Sequence, residues 1–205
     1  MKLLKKHTIQ GEIIVKTGIH IGGMKETFQI GGSDSPVIKT KNGIPYIPGS
    51  SLKGKLRALL EKDAGKDKIC DCGRYDCDIC ILFGCHLPKN SKRSGVLIFR
   101  DGYTKVDDPK KLLETKAENV IDRTKGTAEH PRFMERVVPD TKFEIEIVYN
   151  EFKGDNTKEL LGTLKSGFEL LQKDYLGGSG TRGYGKVDVD SIIKNIDSII
   201  AQIKL

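Results

Sequence analysis

Hydrophobic and polar residues alternate along the first part of the chain. Between positions 8 and 21, residues of one parity are mostly apolar or small, and those of the other parity are mostly polar. This period of two predicts a long, half-exposed β-strand. His20 falls on the polar face with Lys16, directly before two glycines, so it is a candidate for a ligand contact. A lone surface histidine usually has no such role, and that alternative stays open.

Other segments have the period of an α-helix. Leucines at positions 52, 56, 59 and 60 predict a helix that is capped by Ser50 or Ser51 and ends near Asp63. Leucine and phenylalanine spacing predicts a second helix over residues 156–175. Isoleucine spacing predicts a terminal amphipathic helix over residues 191–205, which we expect to cover a sheet rather than to bind a partner.

Three further strands complete the predicted fold. They are expected at residues 95–103, at residues 143–149, and at a short segment that ends near Val189. The order strand, helix, strand, strand, helix, strand predicts an α+β fold with a ferredoxin-like, RRM-like β-α-β-β-α-β core. Sheets of this kind carry single-stranded RNA in RNA-recognition domains, although a fold alone does not establish a function.

The first predicted helix has a basic surface. At about 100° per residue, Lys53, Gly54 and Arg57 point away from the leucine stripe, and Lys55 lies nearer its edge. A helix start with lysines and free amides suits an anion, and a glycine there indicates close approach to the backbone. The alternative is an ordinary solvated helix face.

Residues 22–49 form a loop and hairpin that contain a single aspartate. Asp34 follows Gly31-Gly32 and precedes Ser35-Pro36, so we expect it on a turn that exposes its carboxylate. Asn42-Gly43 predicts a type I′ turn at the hairpin tip. Glycine-flanked aspartates are also common as purely turn-forming residues.

All five cysteines lie between positions 70 and 85. The C-x-C and C-x-x-C pairs can converge on one tetrahedral ion, which predicts a structural zinc site in an insertion at residues 64–94. The predicted ligands are Cys70, Cys72, Cys77 and Cys80. Cys85 or His86 could replace one of them, most plausibly Cys70, and a disulfide or free thiols are the alternative to a metal.

Two more segments invite a functional interpretation. Residues 104–139 form a long polar stretch, which favours an arm, a lid or a partner-binding insertion over a disordered loop. Residues 177–185 contain five glycines with Arg182 between them, so backbone amides near Gly180 and the guanidinium can face phosphate. This loop follows a helix and matches no nucleotide-binding fingerprint, which disfavours a nucleotide-cofactor enzyme.

The composition is consistent with one globular domain over residues 1–205. The chain is 37% hydrophobic and 31% charged, with a formal net charge of +7 that favours an anionic partner. No run of about 18 apolar residues occurs, and the first apolar run is interrupted early, so we expect a cytoplasmic protein without a membrane partner.

Five motifs together are similar to a known family. They are GGSDSPVI at residues 31–38, YIPGSSLKG at 46–54, LFG at 82–84, IDRT at 121–124 and GTRGYG at 180–185. The combination resembles the backbone subunit family of the type III-A (Csm) CRISPR effector complex, within the RAMP superfamily. The resemblance covers about residues 8 to 190 and omits the terminal helix.

The resemblance implies a protein that polymerises along a CRISPR guide RNA with other Csm subunits and cleaves complementary target RNA at regular intervals. Asp34 matches the family's catalytic aspartate, and residues 104–139 match a thumb-like hairpin that interrupts guide–target pairing. A Mg²⁺ or Mn²⁺ ion bound with the RNA would assist attack by the RNA 2′-hydroxyl. The cysteine cluster matches a zinc insertion. The residues expected to bind RNA are His20, Lys53, Lys55, Arg57, Arg123, Gly180 and Arg182.

Two other functions remain possible at this point. The chain could be a related subunit or a repeat-RNA processing ribonuclease, in which His20 would act as a general base. It could instead be a non-catalytic structural RNA-binding subunit, in which Asp34 only forms a turn. Cleavage of target RNA that depends on Asp34 would separate these readings.

Overall fold

The computed structural model describes residues 2–23, 34–74, 76–85 and 94–203. Its main sheet has two long central strands, β1 (Leu3–Val15) and β5 (Lys142–Phe152), with the short β2 (Leu97–Phe99) and β6 (Val187–Asp188) at the sides. The four strands are antiparallel and lie in the order β2-β5-β1-β6. Alternate residues of the central pair, such as Ile9 and its partner Ile147, are fully buried. The chain therefore has a mixed α and β fold with antiparallel sheets.

Two long helices supply most of the remaining core. Helix α1 (Gly49–Asp63) packs against α4 (Thr157–Lys173), where Gly167 lets Leu60 approach closely. Their leucines join the buried residues of the sheet in one continuous cluster, and the short α2 (Asp78–Phe83) adds to it. The leucine spacing predicted both long helices because one face of each is buried.

The terminal helix covers part of the sheet, as predicted. Helix α5 (Asp190–Gln202) packs on β1, with Ile192 against Gly11. The amides of Gln10 and Glu12 donate to side-chain oxygens of Asn195 and Ser191 at 3.0 and 2.8 Å. β6 pairs only with the end of β1, so these two amides have no partner strand in the described sheet, and α5 supplies their acceptors.

The polar segment before β5 contains a separate two-stranded antiparallel sheet. After α3 (Pro109–Leu112), strands β3 (Leu113–Ile121) and β4 (Ala128–Val137) pair along most of their length. Asp122 organises the connecting turn by accepting from the amides of Thr124 and Lys125 at 2.7 and 3.1 Å. We refer to β3, the turn and β4 as the hairpin.

The first strand ends earlier than the alternation predicts. β1 stops at Val15 because the next amide, that of Lys16, donates to the Lys186 carbonyl at 2.8 Å. Ile19 then exchanges two backbone hydrogen bonds with Val137 of the hairpin, at 2.8 and 3.1 Å. Apolar residues continue to alternate past residue 15 because the chain there is buried against the hairpin, although it no longer belongs to β1.

Two turn details also differ from prediction. Helix α1 begins at Gly49 without a serine cap; instead, Asp101 Oδ1 accepts from the Gly49 amide at 2.8 Å. Gly43 adopts a φ of +78°, but Asn42 has no positive φ, so the turn is not type I′. The predicted turn at Gly31-Gly32 lies outside the described residues.

Candidate functional site

The exposed Asp34 is attached to the hairpin by two hydrogen bonds. Its amide donates to the Phe133 carbonyl at 3.0 Å, and its Oδ2 accepts from the Phe133 amide at 2.8 Å. Ser35 continues this contact by pairing with Met134. The carboxylate is therefore presented at the surface, as predicted, but it is held by β4 rather than by its own turn.

Glu135 fastens the next part of this segment to the same strand. Its Oε2 accepts from the Val37 amide at 2.9 Å, and its Oε1 accepts from Lys39 Nζ at 2.8 Å. Its own amide donates to the Ser35 carbonyl at 3.1 Å. Sequence reasoning missed Glu135, because it is one of many charged residues in a polar stretch and its partners are almost a hundred positions away.

His20 is buried, which contradicts its predicted place on an exposed face. Only 7% of it is accessible, because the chain has left β1 and passes beneath the hairpin. Nδ1 lies 2.7 Å from the Glu135 carbonyl oxygen and must donate to it, and Nε2 lies 3.4 Å from Ser35 Oγ. The His20 carbonyl accepts from the Gly178 amide at 2.8 Å. His20 thus joins the Asp34 segment, the hairpin and the glycine-rich loop.

The glycine-rich loop contacts the hairpin through Arg182. Gly180 lies against the Tyr175 ring, where a side chain would not fit. Arg182 Nη1 donates to Glu118 Oε2 at 2.9 Å, although 63% of the arginine side chain is exposed. The neighbouring Tyr184 hydroxyl, then Arg182 and Lys116, hold the pKa of Glu118 below its usual value. The loop therefore presents a guanidinium at the surface that already pairs with the hairpin.

The predicted cations of α1 have different environments. Lys53 is half-buried, and it has no ion-pair partner in the part of the chain that the structure describes. Burial, and then the charge of Arg57, lower the pKa of Lys53. Lys55 instead pairs with Asp174 at 3.2 Å and lies 3.8 Å from the centre of the Tyr175 ring. Lys55 thus supports the glycine-rich loop from below.

Arg57 and Arg123 lie at opposite extremes of exposure. The Arg57 side chain is 17% exposed and is directed at the cysteine segment, where Nη2 donates to the Cys70 carbonyl at 2.8 Å. Arg123 is exposed in the hairpin turn and has no ion-pair partner within the described ranges. Arg123 is therefore accessible to a ligand, and Arg57 is engaged within the chain.

Four cysteines converge as the spacing predicted. The sulfur atoms of Cys70, Cys72, Cys77 and Cys80 lie within 4.8 Å of one another. The closer sulfur pairs are 3.6 to 3.8 Å apart, which matches the edge of about 3.8 Å expected for a tetrahedron with metal–sulfur bonds of about 2.3 Å. Cys85 is not part of this group, and His86 lies outside the described residues. The four sulfurs can hold a metal ion.

The protonation of these thiols depends on their burial. Burial raises the pKa of Cys77 and Cys80. Burial also opposes ionisation of Cys72, but hydrogen bonds from the Arg74 backbone and from the neighbouring thiols outweigh it and lower the pKa to about 7.

In the described parts of the chain, this cluster is the one group of three or more possible metal ligands, so Asp34 belongs to no carboxylate cluster there. No described helix has the length and apolar character that crossing a bilayer requires.

Comparisons with known proteins agree on one family. A model described as the RAMP superfamily matches residues 12–188. "CRISPR system Cms endoribonuclease Csm3" of Methanocaldococcus jannaschii is 48% identical over 198 residues, which cover 91% of this chain and 79% of the relative. The protein of the same name from Streptococcus thermophilus is 40% identical, covering 91% and 88%. A crystal structure of a Csm3–Csm4 subcomplex in the type III-A CRISPR-Cas interference complex contains a chain that is 37% identical, with a TM-score of 0.62, covering 91% of this chain and 76% of that one.

Proposed function

The chain belongs to the RAMP superfamily, and we propose that it is a backbone subunit of a type III-A CRISPR effector complex that cleaves target RNA. Its partners are guide RNA, complementary single-stranded target RNA, further copies of this chain and other Csm subunits. Two relatives named endoribonuclease Csm3, and the likeness to a Csm3–Csm4 subcomplex, support this function.

The single observation that carries the catalytic part of the proposal is the attachment of Asp34 to the hairpin. Phe133 fixes one carboxylate oxygen, Oδ2, at 2.8 Å, and Oδ1 accepts no hydrogen bond from the described residues. An exposed carboxylate in a fixed orientation beside the middle of β4 is suited to act on a strand that the hairpin deflects. We therefore assign Asp34 as the catalytic residue.

The proposed reaction uses the RNA's own 2′-hydroxyl. The 2′-oxygen forms a bond to the adjacent phosphorus while the bond from phosphorus to the 5′-oxygen breaks. The 2′-hydroxyl loses its proton, and the leaving 5′-oxygen gains one, which gives a cyclic phosphate and a 5′-hydroxyl. The hairpin contributes by separating neighbouring nucleotides, and Asp34 contributes by orienting groups at the scissile phosphate.

A Mg²⁺ or Mn²⁺ ion bound with the RNA would supply positive charge that stabilises the phosphate as it reacts. Asp34 fits such an ion only as a single ligand. Glu135, the carboxylate of β4 that holds this segment, is occupied by Lys39 and the Val37 amide. Most of the ion's ligands would then be water and RNA oxygens, as Mg²⁺ commonly prefers.

We propose that RNA phosphates are bound by Lys53, Arg123 and Arg182. Each is at least partly accessible, and the first two have no ion-pair partner within the described ranges. His20, Lys55, Arg57 and Gly180 serve this surface by holding its segments in place. Binding of this kind is strongly salt-dependent and nearly independent of guide sequence.

We propose zinc as the ion of the cysteine cluster. Four thiolates leave no open coordination position, so zinc would stabilise the insertion and take no part in cleavage. Metal analysis should find one equivalent of zinc in protein purified without added metal. Full retention of zinc after the double change Cys77→Ser, Cys80→Ser would contradict this assignment.

We also propose that the four-stranded sheet, with α1 and α4, is a ferredoxin-like core within a single RAMP domain. The connection order β1-α1-β2-β5-α4-β6 and the antiparallel order β2-β5-β1-β6 support it. In this layout the cysteine insertion and the thumb-like hairpin both lie between β1 and β5.

One observation favours a purely structural role. Asp34 makes two hydrogen bonds to Phe133, which is what a strand-anchoring aspartate would do. The test is target cleavage by the reconstituted complex with guide RNA bound. We expect Asp34→Ala to lose at least about 100-fold in cleavage rate. Target affinity should change by less than about threefold. Cleavage by Asp34→Ala at the wild-type rate would indicate that the chain is a structural subunit without a catalytic role.

A further inference from the structure

Two charged residues on α1 hold both peptide groups of Cys70. Arg57 and Glu61 lie one helical turn apart and form an ion pair of 2.8 Å, with side chains 17% and 11% exposed. The same Glu61 oxygen, Oε1, accepts from the Cys70 amide at 2.9 Å. Arg57 Nη2 donates to the Cys70 carbonyl at 2.8 Å and lies 3.6 Å from Asp71.

This arrangement is unusual for a helix that needs only to be stable. An ion pair removed from water gains little over apolar side chains of similar size, because desolvation offsets the attraction. An exposed ion pair at the same i,i+4 spacing would also stabilise the helix. The pair is buried because its donors and acceptors are directed at one residue of the neighbouring segment.

Cys70 and Cys72 need external support more than the two cysteines of α2 do. Cys77 caps the short helix α2 and Cys80 lies within it, so regular structure fixes their backbones. Residues 69–74 have no regular secondary structure, and Cys70 begins the C-x-C pair. Since metal–sulfur bonds tolerate only small displacements, a ligand in irregular backbone must be fixed by other contacts.

We infer that Arg57 and Glu61 are positioning residues for the metal site, and that they select Cys70 as its fourth ligand. This inference rests on the proposed metal site. It also assigns Arg57 a role within the chain in place of direct RNA contact. Through this pair, the metal site is connected to α1, the helix that also carries Lys53.

The first test measures metal affinity by chelator competition, using zinc and the full chain. Glu61→Ala should weaken zinc binding by about 10- to 100-fold, the range for residues that orient metal ligands. Glu61→Gln keeps an acceptor for the Cys70 amide and should recover part of the loss. Glu169→Ala removes a matched i,i+4 partner from α4 and should leave affinity unchanged. Wild-type affinity in Glu61→Ala would overturn the inference.

The second test identifies which ligand is released. Brief alkylation of the zinc-loaded protein, followed by peptide mass spectrometry, should label Cys70 faster in Glu61→Ala than in the wild type, ahead of Cys77. Equal labelling of all four cysteines would indicate general loosening and would overturn the assignment. If Glu61→Ala does not fold, Arg57→Lys, which cannot reproduce both guanidinium contacts, should show the same preference for Cys70. A wild-type chain that binds no zinc would refute the metal site itself, which is a separate result.

Discussion

Replacing Glu135 should detach the segment that carries Asp34 without unfolding the protein. In Glu135→Ala the Val37 amide, in a residue only 4% exposed, loses its acceptor, which costs about 1 to 3 kcal/mol. The partly exposed ion pair with Lys39 adds up to about 1 kcal/mol. A total near 3 kcal/mol corresponds to roughly 150-fold easier local opening.

Amide hydrogen exchange at Val37 reports the loss of this acceptor together with the local opening that follows. We expect exchange to accelerate roughly 150-fold in Glu135→Ala and much less in Glu135→Gln, which keeps one acceptor oxygen for the amide. Target cleavage should fall in the same order, because Asp34 would no longer be held in one orientation. Glu144→Ala removes an exposed strand glutamate that pairs with Lys105 and should alter neither measurement. Unchanged Val37 exchange in Glu135→Ala would refute the reasoning.

Three further predictions concern RNA binding and the loops. Lys53→Ala should reduce the salt dependence of RNA affinity by about one phosphate contact. Because burial lowers the pKa of Lys53, RNA affinity of the wild type should fall at alkaline pH before that of Lys53→Arg does. Gly54→Ala should raise unfolding free energy by about 1 kcal/mol, since open space surrounds Gly54, yet should weaken RNA binding if RNA approaches the helix backbone. Gly177→Ala should lower the melting temperature, since its φ is +86° and a side chain would meet the His20 carbonyl, whereas Gly162→Ala in open space on α4 should not.

The sequence predicted those parts of the fold that depend on periodic burial. Helix α4 and strand β5 were found because one face of each meets the core at regular intervals. The same reasoning failed where a distant segment decided the outcome. His20 appeared exposed by its parity, but the hairpin covers it, and the amide of Gly49 is satisfied by Asp101, which lies 52 positions away. No local pattern records such contacts.

In the candidate site, too, features set by residues close in sequence were predictable, and contacts between distant segments were not. The cysteine cluster was predictable because all its ligands are close in sequence and must converge on one ion. The exposure of Asp34 was predictable from its flanking residues, but its attachment to Phe133 was not. Arg57 was expected at an RNA surface because helical periodicity places it outside the leucine stripe. Periodicity cannot tell whether such a position faces solvent or another segment of the chain, and Arg57 faces the cysteine segment.

The most direct test of the catalytic assignment is single-turnover target cleavage by a complex that contains Asp34→Asn. Asparagine keeps an oxygen that can accept from the Phe133 amide, so it removes the charge and preserves the anchor. We predict a loss of at least about 100-fold in cleavage, as for Asp34→Ala, with Val37 exchange at the wild-type rate. Cleavage by Asp34→Asn at the wild-type rate, with activity lost only in Asp34→Ala, would show that Asp34 anchors the segment and performs no chemistry.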